Sequence, residues 1–421
     1  MSKMCRRRFL KRSAGAVLGV MTPGLIQWGC GSNGGEKSVS DVVADSGFIP
    51  DTFMRGDQAE EIVRRAGSTI YASLGQRVKD FYGMGVEAAQ NLGITGTNLA
   101  GSTVFIKPNF VTLGLEIFGC QFDPSIGECT KPELVIAVAE QCLEAGAAKV
   151  IIGEGAQKES WEWDVLKFNE GTVIGGATNL QAGADWLKSK YGENRLELLC
   201  LNQVNDWKAL PSASEHENMK DGIFVARAFA EADHVISMPV MKTHTFAMMT
   251  ASMKNYVGVI SSHIHGNDIS RCWAHLAYKD TVAYGVDGCG ISGAFVDIHK
   301  YRRDEGFQDF SILDATICLE GTGPHTAPVN DGITIHTKLR NEAQAYSVLA
   351  SDDLVAMDAT AMRIMGLKES EVKAIQMARY LELGEVDEVN LSGANLNELL
   401  IKDWVKPVTE GEDYFEFVCG A

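Results

Sequence analysis

Thr103-Val104-Phe105-Ile106-Lys107-Pro108-Asn109, then Thr130-Lys131-Pro132-Glu133-Leu134-Val135, then Lys149-Val150-Ile151-Ile152-Gly153-Glu154-Gly155 are the stretches whose reading decides the fold. The first and third are short apolar runs of β-branched and aromatic residues closed by Pro or Gly, the pattern of strands buried on both faces. Between them, Thr130 to Glu133 reads as a capping box with proline in the first turn. Leu134, Val135, Val138 and Cys142 line one face of the helix that follows, and Gly146 stops it. Strand, crossover helix and strand in succession predict an α/β fold, a mostly parallel sheet flanked by helices.

Working outward, residues 196–201, 234–238, 310–313 and 346–350 are further strand candidates, and residues 57–92 carry helical periodicity. Residues 156–220 are rich in Trp and polar stretches and read as an inserted cap or second lobe. The expected organisation is a signal over residues 1–30, a flexible leader over 31–47, an α/β domain of one or two lobes over 48–405, and a tail over 406–421. Asp352 and Asp353 can cap a helix over residues 354–365 that Gly366 stops. Asp358 then falls on the apolar stripe of that helix, where a carboxylate needs a cationic partner or a metal, unless it reaches water.

The N-terminus carries Cys5-Arg6-Arg7-Arg8-Phe9-Leu10-Lys11, a twin-arginine pattern, and then an apolar run too short and too interrupted by Gly and Pro to span a bilayer. That order predicts export by the twin-arginine pathway to the periplasm or cell envelope. Cys30 at the end of the run is a candidate lipidation site and, with the signal, the only expected tie to a membrane. Losing the six basic residues of the first thirty takes the net charge from −17 to −23. So acidic a surface repels nucleic acid and anionic membrane, and neither is an expected partner. The ten cysteines include no closely spaced pair, so no iron–sulfur cluster motif is present. Cys120 and Cys129 bracket a loop that a disulfide can close in an oxidising compartment; buried thiols are the alternative.

In parallel α/β sheets ligands bind beyond the carboxyl ends of the strands. There the sequence places Lys107 and Asn109, Glu154, Lys242 and His244, and Asp314 with Glu320 and His325 beyond it. Each alone reads equally as a strand end, turn or cap residue; their recurrence suggests one site. In the segment Met238 to Gly258, Thr250 and Lys254 are spaced to share a helix face with Gly258 past its end. Two lysines, His244 and Asn255 near one helix suit a carboxylate, phosphate or enolate, and a desolvated Lys242 or Lys254 would serve as base or nucleophile. Gly321-Thr322-Gly323-Pro324 allows close approach of backbone to a ligand, or is a plain loop. His263 and His265, with His275, form a weaker candidate metal group.

Val104 to Asn109, Ala145-Gly146-Ala147 running into Ile151 to Gly155, Met238 to His244, Met253 to Gly258, Ile312 to Ala315 with Glu320 to Pro324, and Ala356 to Ala359 occur in an order that resembles the domain-of-unknown-function 362 family of bacteria and archaea. The resemblance covers roughly residues 100–390. It implies a common fold and a common site, and no established reaction. Many relatives carry ferredoxin-like cysteine clusters; this chain does not. There is a looser likeness in layout to nickel-pincer lactate racemases, without a diagnostic motif.

These readings combine into one expectation: an exported α/β enzyme acting on a small anionic molecule, a carboxylate or phosphate. Lys242, His244 and Lys254 are the catalytic candidates; Lys107, Asn109, Asn255 and Gly323 would bind substrate. Glu154, Asp314 and Asp358 would orient them or hold a divalent metal or metal-containing cofactor. The rival expectation is a non-catalytic binding protein or assembly factor outside the cytoplasm, tethered through lipid.

Overall fold

The computed structural model describes residues 69–73, 80–111, 127–216, 219–265, 272–321, 339–340, 347–387, 389–392, 399 and 404–407. The signal, the leader, Cys30, Cys120, Gly323, His325, the side chain of His275 and residues 408–421 lie outside them.

Among the described residues the strands run in chain order as β1 (Thr69–Ser73), β2 (Thr103–Pro108), β3 (Lys149–Glu154), β4 (Leu196–Cys200), β5 (Trp207–Leu210), β6 (Ile223–Ala226) and β7 (His234–Met238). They continue as β8 (Val240–His244), β9 (Met248–Thr250), β10 (Gln308–Leu319), β11 (Leu339–Arg340), β12 (Ser347–Ser351) and β13 (Asn390–Ser392). The main sheet is ordered β13-β1-β12-β10-β7-β2-β3-β4. Its centre, β10-β7-β2-β3-β4, is parallel, and β12 runs against both β1 and β10. A mostly parallel sheet flanked by helices is thus the fold.

The helices are α1 (Phe81–Asn91), α2 (Pro132–Glu144), α3 (Leu180–Tyr191), α4 (Cys272–Lys279), α5 (Ile291–Asp304), α6 (Leu354–Ile364) and α7 (Lys373–Tyr380). On one face of the sheet, Val104, Ile106, Ile152 and Ile312 pack with side chains of α1, α2 and α3. On the other, Phe105, Ile151 and Leu313 pack with α4, α5, α6 and α7. Alternate residues of one strand therefore belong to different cores, and both cores are apolar. The central strands β2 and β3 carry the apolar runs Val104–Ile106 and Val150–Ile152 for that reason.

Several local expectations meet a different outcome. Thr130 does not cap α2: its hydroxyl accepts the N–H of Asn109 (2.9 Å) and donates to the carbonyl of Met238 (2.7 Å). Lys131 is the N-cap residue and Glu133 instead accepts from the Asn169 amide, so tertiary bonds have displaced the capping box. The C-terminus follows the sequence: Gly146, at φ 91°, lets Ala147 N–H reach the carbonyl of Cys142. Within residues 57–92, only the part from Phe81 is helical among the described residues, because Thr69–Ser73 pairs as a strand with β12 and β13. Of residues 156–220, α3 packs on α2 and β4 completes an edge of the main sheet.

Candidate functional site

From β2 the chain builds outward through β3 to β4 in one direction, and β7 and β10 are laid on the other side of β2. The order reverses between β2 and β7, and parallel α/β sheets place ligands past the carboxyl ends of the strands at such a switch point. Lys107 pairs in register with Ser237, and Pro108 with Met238, at that point. The sequence thus delivers Lys107 and Asn109 from one strand, and Met238 and the β8 lysine from the next, to the switch point.

Lys107 is buried, and its ammonium donates to Glu154 Oε1 (2.6 Å) and to the carbonyl of Pro108 (2.6 Å). Glu154 is saturated, since Phe110 N–H meets Oε2 at 2.6 Å and Gly155 N–H meets Oε1 at 2.7 Å. Gly258 covers this pair. A Cβ there would stand 2.7 Å from both Glu154 Oε1 and Lys107 Cε, so only glycine lets the backbone approach so closely. Asn255 ties the same segment down, donating to the carbonyl of Lys107 (2.6 Å) and to Ser237 Oγ (3.2 Å).

Lys242, from β8, is also buried and donates to the carbonyl of Glu128 (2.6 Å) and to Asn109 Oδ1 (3.4 Å). Burial pushes its pKa down, and the nearby Cys129, Glu128 and Glu154 oppose that push. Lys254 retains partial exposure. Desolvation lowers its amine to about 7, with the Lys242 and Lys107 ammoniums adding to the fall. Three lysines thus share one electrostatic neighbourhood, and burial lowers both Lys242 and Lys254.

Lys254 does not lie on an α-helix with Thr250. Thr250 ends β9, paired with Lys242, and Lys254–Val259 forms a 3-10 helix with Gly258 inside it. Asp358 holds the entry to that turn: its carboxylate accepts the N–H groups of Ser252 (2.6 Å) and Met253 (3.1 Å). Backbone N–H groups thus supply partners for this buried carboxylate. Burial raises Asp358 to about 7, against the lowering effect of those N–H bonds.

His244 accepts the N–H groups of Phe246 (3.1 Å) and Ala247 (3.3 Å) at Nδ1, which ties the ring to the β8–β9 turn. Asp314 lies on the strand face of Phe310 and Ile312, against α2 rather than towards Gly258. There it accepts the N–H of Lys131 (2.8 Å) and bonds to Thr316. The geometry therefore gathers Lys107, Asn109, Glu154, Lys242, Lys254 and Asn255, and leaves His244, Asp314 and Asp358 in supporting positions.

Sequence reasoning missed Lys131 at the foot of α2. It is 1 % exposed, its ammonium has no hydrogen-bond partner, and the Asp314 carboxylate is 4.0 Å away. A lysine beside the expected cap was its signal. Glu128, whose carbonyl holds Lys242, was missed too.

The metal reading fits less well. Glu154, Asp314 and Asp358 each spend their oxygens on separate N–H or O–H donors, and among the described residues no three His, Cys, Asp or Glu side chains gather to hold an ion. His265 accepts the N–H of Phe224 (2.9 Å), and His263 bonds the carbonyl of Asn202 (2.6 Å), so this pair serves the backbone.

Residues 104–363, spanning β2 to α6 and the whole lysine cluster, match the family model described as Domain of unknown function (DUF362). The chain belongs to this family. Within the wider set of similar proteins, this DUF362 chain is 23 % identical over 310 residues to the thylakoid-associated protein sll1697 of Synechocystis sp., covering 73 % of this chain and 77 % of that protein. Two solved structures are more distant. A Thermotoga maritima protein matches with TM-score 0.30 and 11 % identity over 62 % of this chain and 54 % of its own. The lactate racemase apoprotein of Thermoanaerobacterium thermosaccharolyticum matches with TM-score 0.29 and 12 % identity over 59 % and 50 %. The DUF362 chain spans about half the length of each of these structures.

Proposed function

We propose that the carboxyl ends of β2 and β7 open a crevice that binds a small carboxylate or phosphate and that the protein is an enzyme in which Lys254 moves a proton to or from it. The observation that carries this reading is the partly exposed Lys254, lowered to about 7 beside two buried lysines. An anion entering beside Lys254, Lys242 and Lys107 is attracted by their ammonium forms and favours them in turn. Lys242 and Lys107 supply the field, and Asn109 and Asn255 fix the strand ends that present them. At neutral pH a useful fraction of Lys254 is free amine, which takes a proton from the bound molecule and becomes the ammonium that returns it. His244, held at Nδ1 by the hairpin, is the weaker candidate for that role.

Export is part of the proposal. It rests on the twin-arginine pattern at Arg6 and Arg7, and the tether on Cys30. No helix among the described residues is long and apolar enough to cross a membrane. The name of the Synechocystis relative agrees with a place at a membrane surface.

Isothermal titration of lactate, oxalate and inorganic phosphate into the wild-type protein and Lys254→Met tests the site. At least one anion should bind the wild type and lose affinity about tenfold or more in the variant, the cost of one charge-assisted hydrogen bond. Equal affinities in both proteins, or no binding of any anion, would overturn the assignment. Binding without turnover of the anion would leave the rival, a non-catalytic binding protein.

A further inference from the structure

The turn that carries Lys254 is held on both sides. Before it, the Asp358 carboxylate accepts the N–H groups of Ser252 (2.6 Å) and Met253 (3.1 Å). After it, Asn255 donates to the carbonyl of Lys107 (2.6 Å), and the Tyr256 hydroxyl donates to Asp309 (2.8 Å). Further along the same turn, Gly258 lies so close to Lys107 that a Cβ there would stand 2.8 Å from its ammonium nitrogen. A backbone fixed in this way presents the Lys254 side chain from one position, so little ordering is left for a substrate to impose.

The amine itself has been given nothing to hold. Lys254 is partly exposed, and its nitrogen has no hydrogen-bond acceptor among the described residues and keeps access to solvent, unlike that of Lys131. The charged groups that act on it are Lys242 and Lys107, both cations. A lysine spent on structure has an acceptor to hold, as Lys107 has in Glu154. Desolvation and the two ammoniums leave a fraction of the Lys254 amine unprotonated at neutral pH, the state in which the nitrogen offers its lone pair.

We propose that Lys254 adds to the carbonyl carbon of a small 2-oxo acid and holds it as a protonated imine. This rests on the anion site proposed above and names the class of its anion. The Nζ lone pair forms the bond to the carbonyl carbon, and one amine proton passes to the carbonyl oxygen. The hydroxyl so made leaves as water with a proton from solvent, and the C=N bond closes with the nitrogen cationic. That charge decides the substrate class. A neutral aldehyde or ketone would leave a third cation beside the Lys107 and Lys242 ammoniums, whereas a 2-oxo acid brings a carboxylate bonded to the carbon under attack. The cationic imine then withdraws electrons from the substrate, which is how a lysine activates a carbonyl compound.

Pyruvate is the probe, and acetone is its neutral counterpart. The full chain and Lys254→Met are incubated with either at neutral pH, reduced with sodium cyanoborohydride and digested, and the lysine adducts are quantified by mass spectrometry. Pyruvate should modify Lys254 at least about tenfold more than the exposed Lys167 and Lys220, a part of the difference in free amine. With acetone the preference for Lys254 over Lys167 should fall about tenfold, the loss of one charge-assisted contact. Lys254→Met should lose the excess adduct; should that variant not fold, the peptide map of the wild type decides. No adduct at Lys254, equal labelling of Lys167, Lys220 and Lys254, undiminished total adduct in Lys254→Met, or the same preference with acetone would overturn the proposal. Lactate or oxalate binding through Lys254 without a pyruvate adduct would overturn the imine alone. No anion binding and no adduct would remove the anion site with it.

Discussion

Arg302 and Lys254 are both cations set among apolar side chains, and the fold treats them in opposite ways. Arg302 is fully buried between the rings of Phe229 and Phe307. Its guanidinium meets Asp309 at 2.8 Å and spends its remaining N–H groups on the carbonyls of Phe229 (2.8 Å) and Ala232 (3.1 Å). Asp309 is in turn satisfied by Tyr256 (2.8 Å). Lys254 stands partly exposed, its nearest electrostatic company two further ammoniums. A charge whose partners are complete holds the fold; a charge whose environment works against it is poised to act. Buried ion pairs and perturbed titrations both look like charge clusters in a sequence, and only the completeness of the partners separates them.

The sharpest way to break that comparison is to remove each cation. Arg302→Met strands the Asp309 carboxylate in the core and should cost about 3–5 kcal/mol in urea unfolding. Lys254→Met should lose no stability near pH 7 and should gain some, because it removes a repelled, desolvated charge. Equal losses would erase the distinction.

The pH dependence of stability comes next. Asp358 has its pKa raised from 3.8 to about 7, so the folded state holds a proton that the unfolded state releases, and stability should fall as pH rises through that window. Lys254 is lowered from 10.5 to about 7, so the unfolded state binds the extra proton, and stability should rise between those values. Unfolding midpoints measured from pH 4 to 10 should therefore dip near neutrality. Asp358→Asn should remove the acid-side fall, on the order of 2–4 kcal/mol, and Lys254→Met the alkaline rise. A flat profile in the wild type would contradict both.

A smaller effect sharpens the picture at Gly258. Gly258→Ala places a methyl against the Lys107–Glu154 pair and should cost about 1–3 kcal/mol, as overpacking does. It should also weaken anion binding in the titration above. Unchanged binding with lowered stability would mean that the pair is structural, like Arg302 and Asp309.

The parallel sheet was legible because burial on both faces leaves β2, β3 and β7 as apolar runs, and the lysines were legible because they follow such runs. The same burial hid the face of Asp314. When both sides of β10 are apolar, strand parity leaves no mark in the sequence, and Asp314 turned out to face α2 and not the crevice. Asp358 was recognised as needing a partner, but backbone N–H groups carry no residue signature, so Ser252 and Met253 were invisible. Thr130 failed as a cap because two strand ends distant in sequence claimed its hydroxyl. Lys254 was legible as a residue and illegible as a conformation: its spacing from Thr250 suggests an α-helix, and pairing of β9 with β8 imposes a tighter 3-10 turn.

The most direct measurement is the titration of the Lys254 amine itself, by trace acetylation of the folded protein between pH 5 and 11 with the modified peptide quantified by mass spectrometry. A midpoint near 7 is the predicted result. A midpoint near the ordinary lysine value of about 10.4 would mean that the amine is solvated or paired, and the claim that the switch point holds a poised base would be wrong.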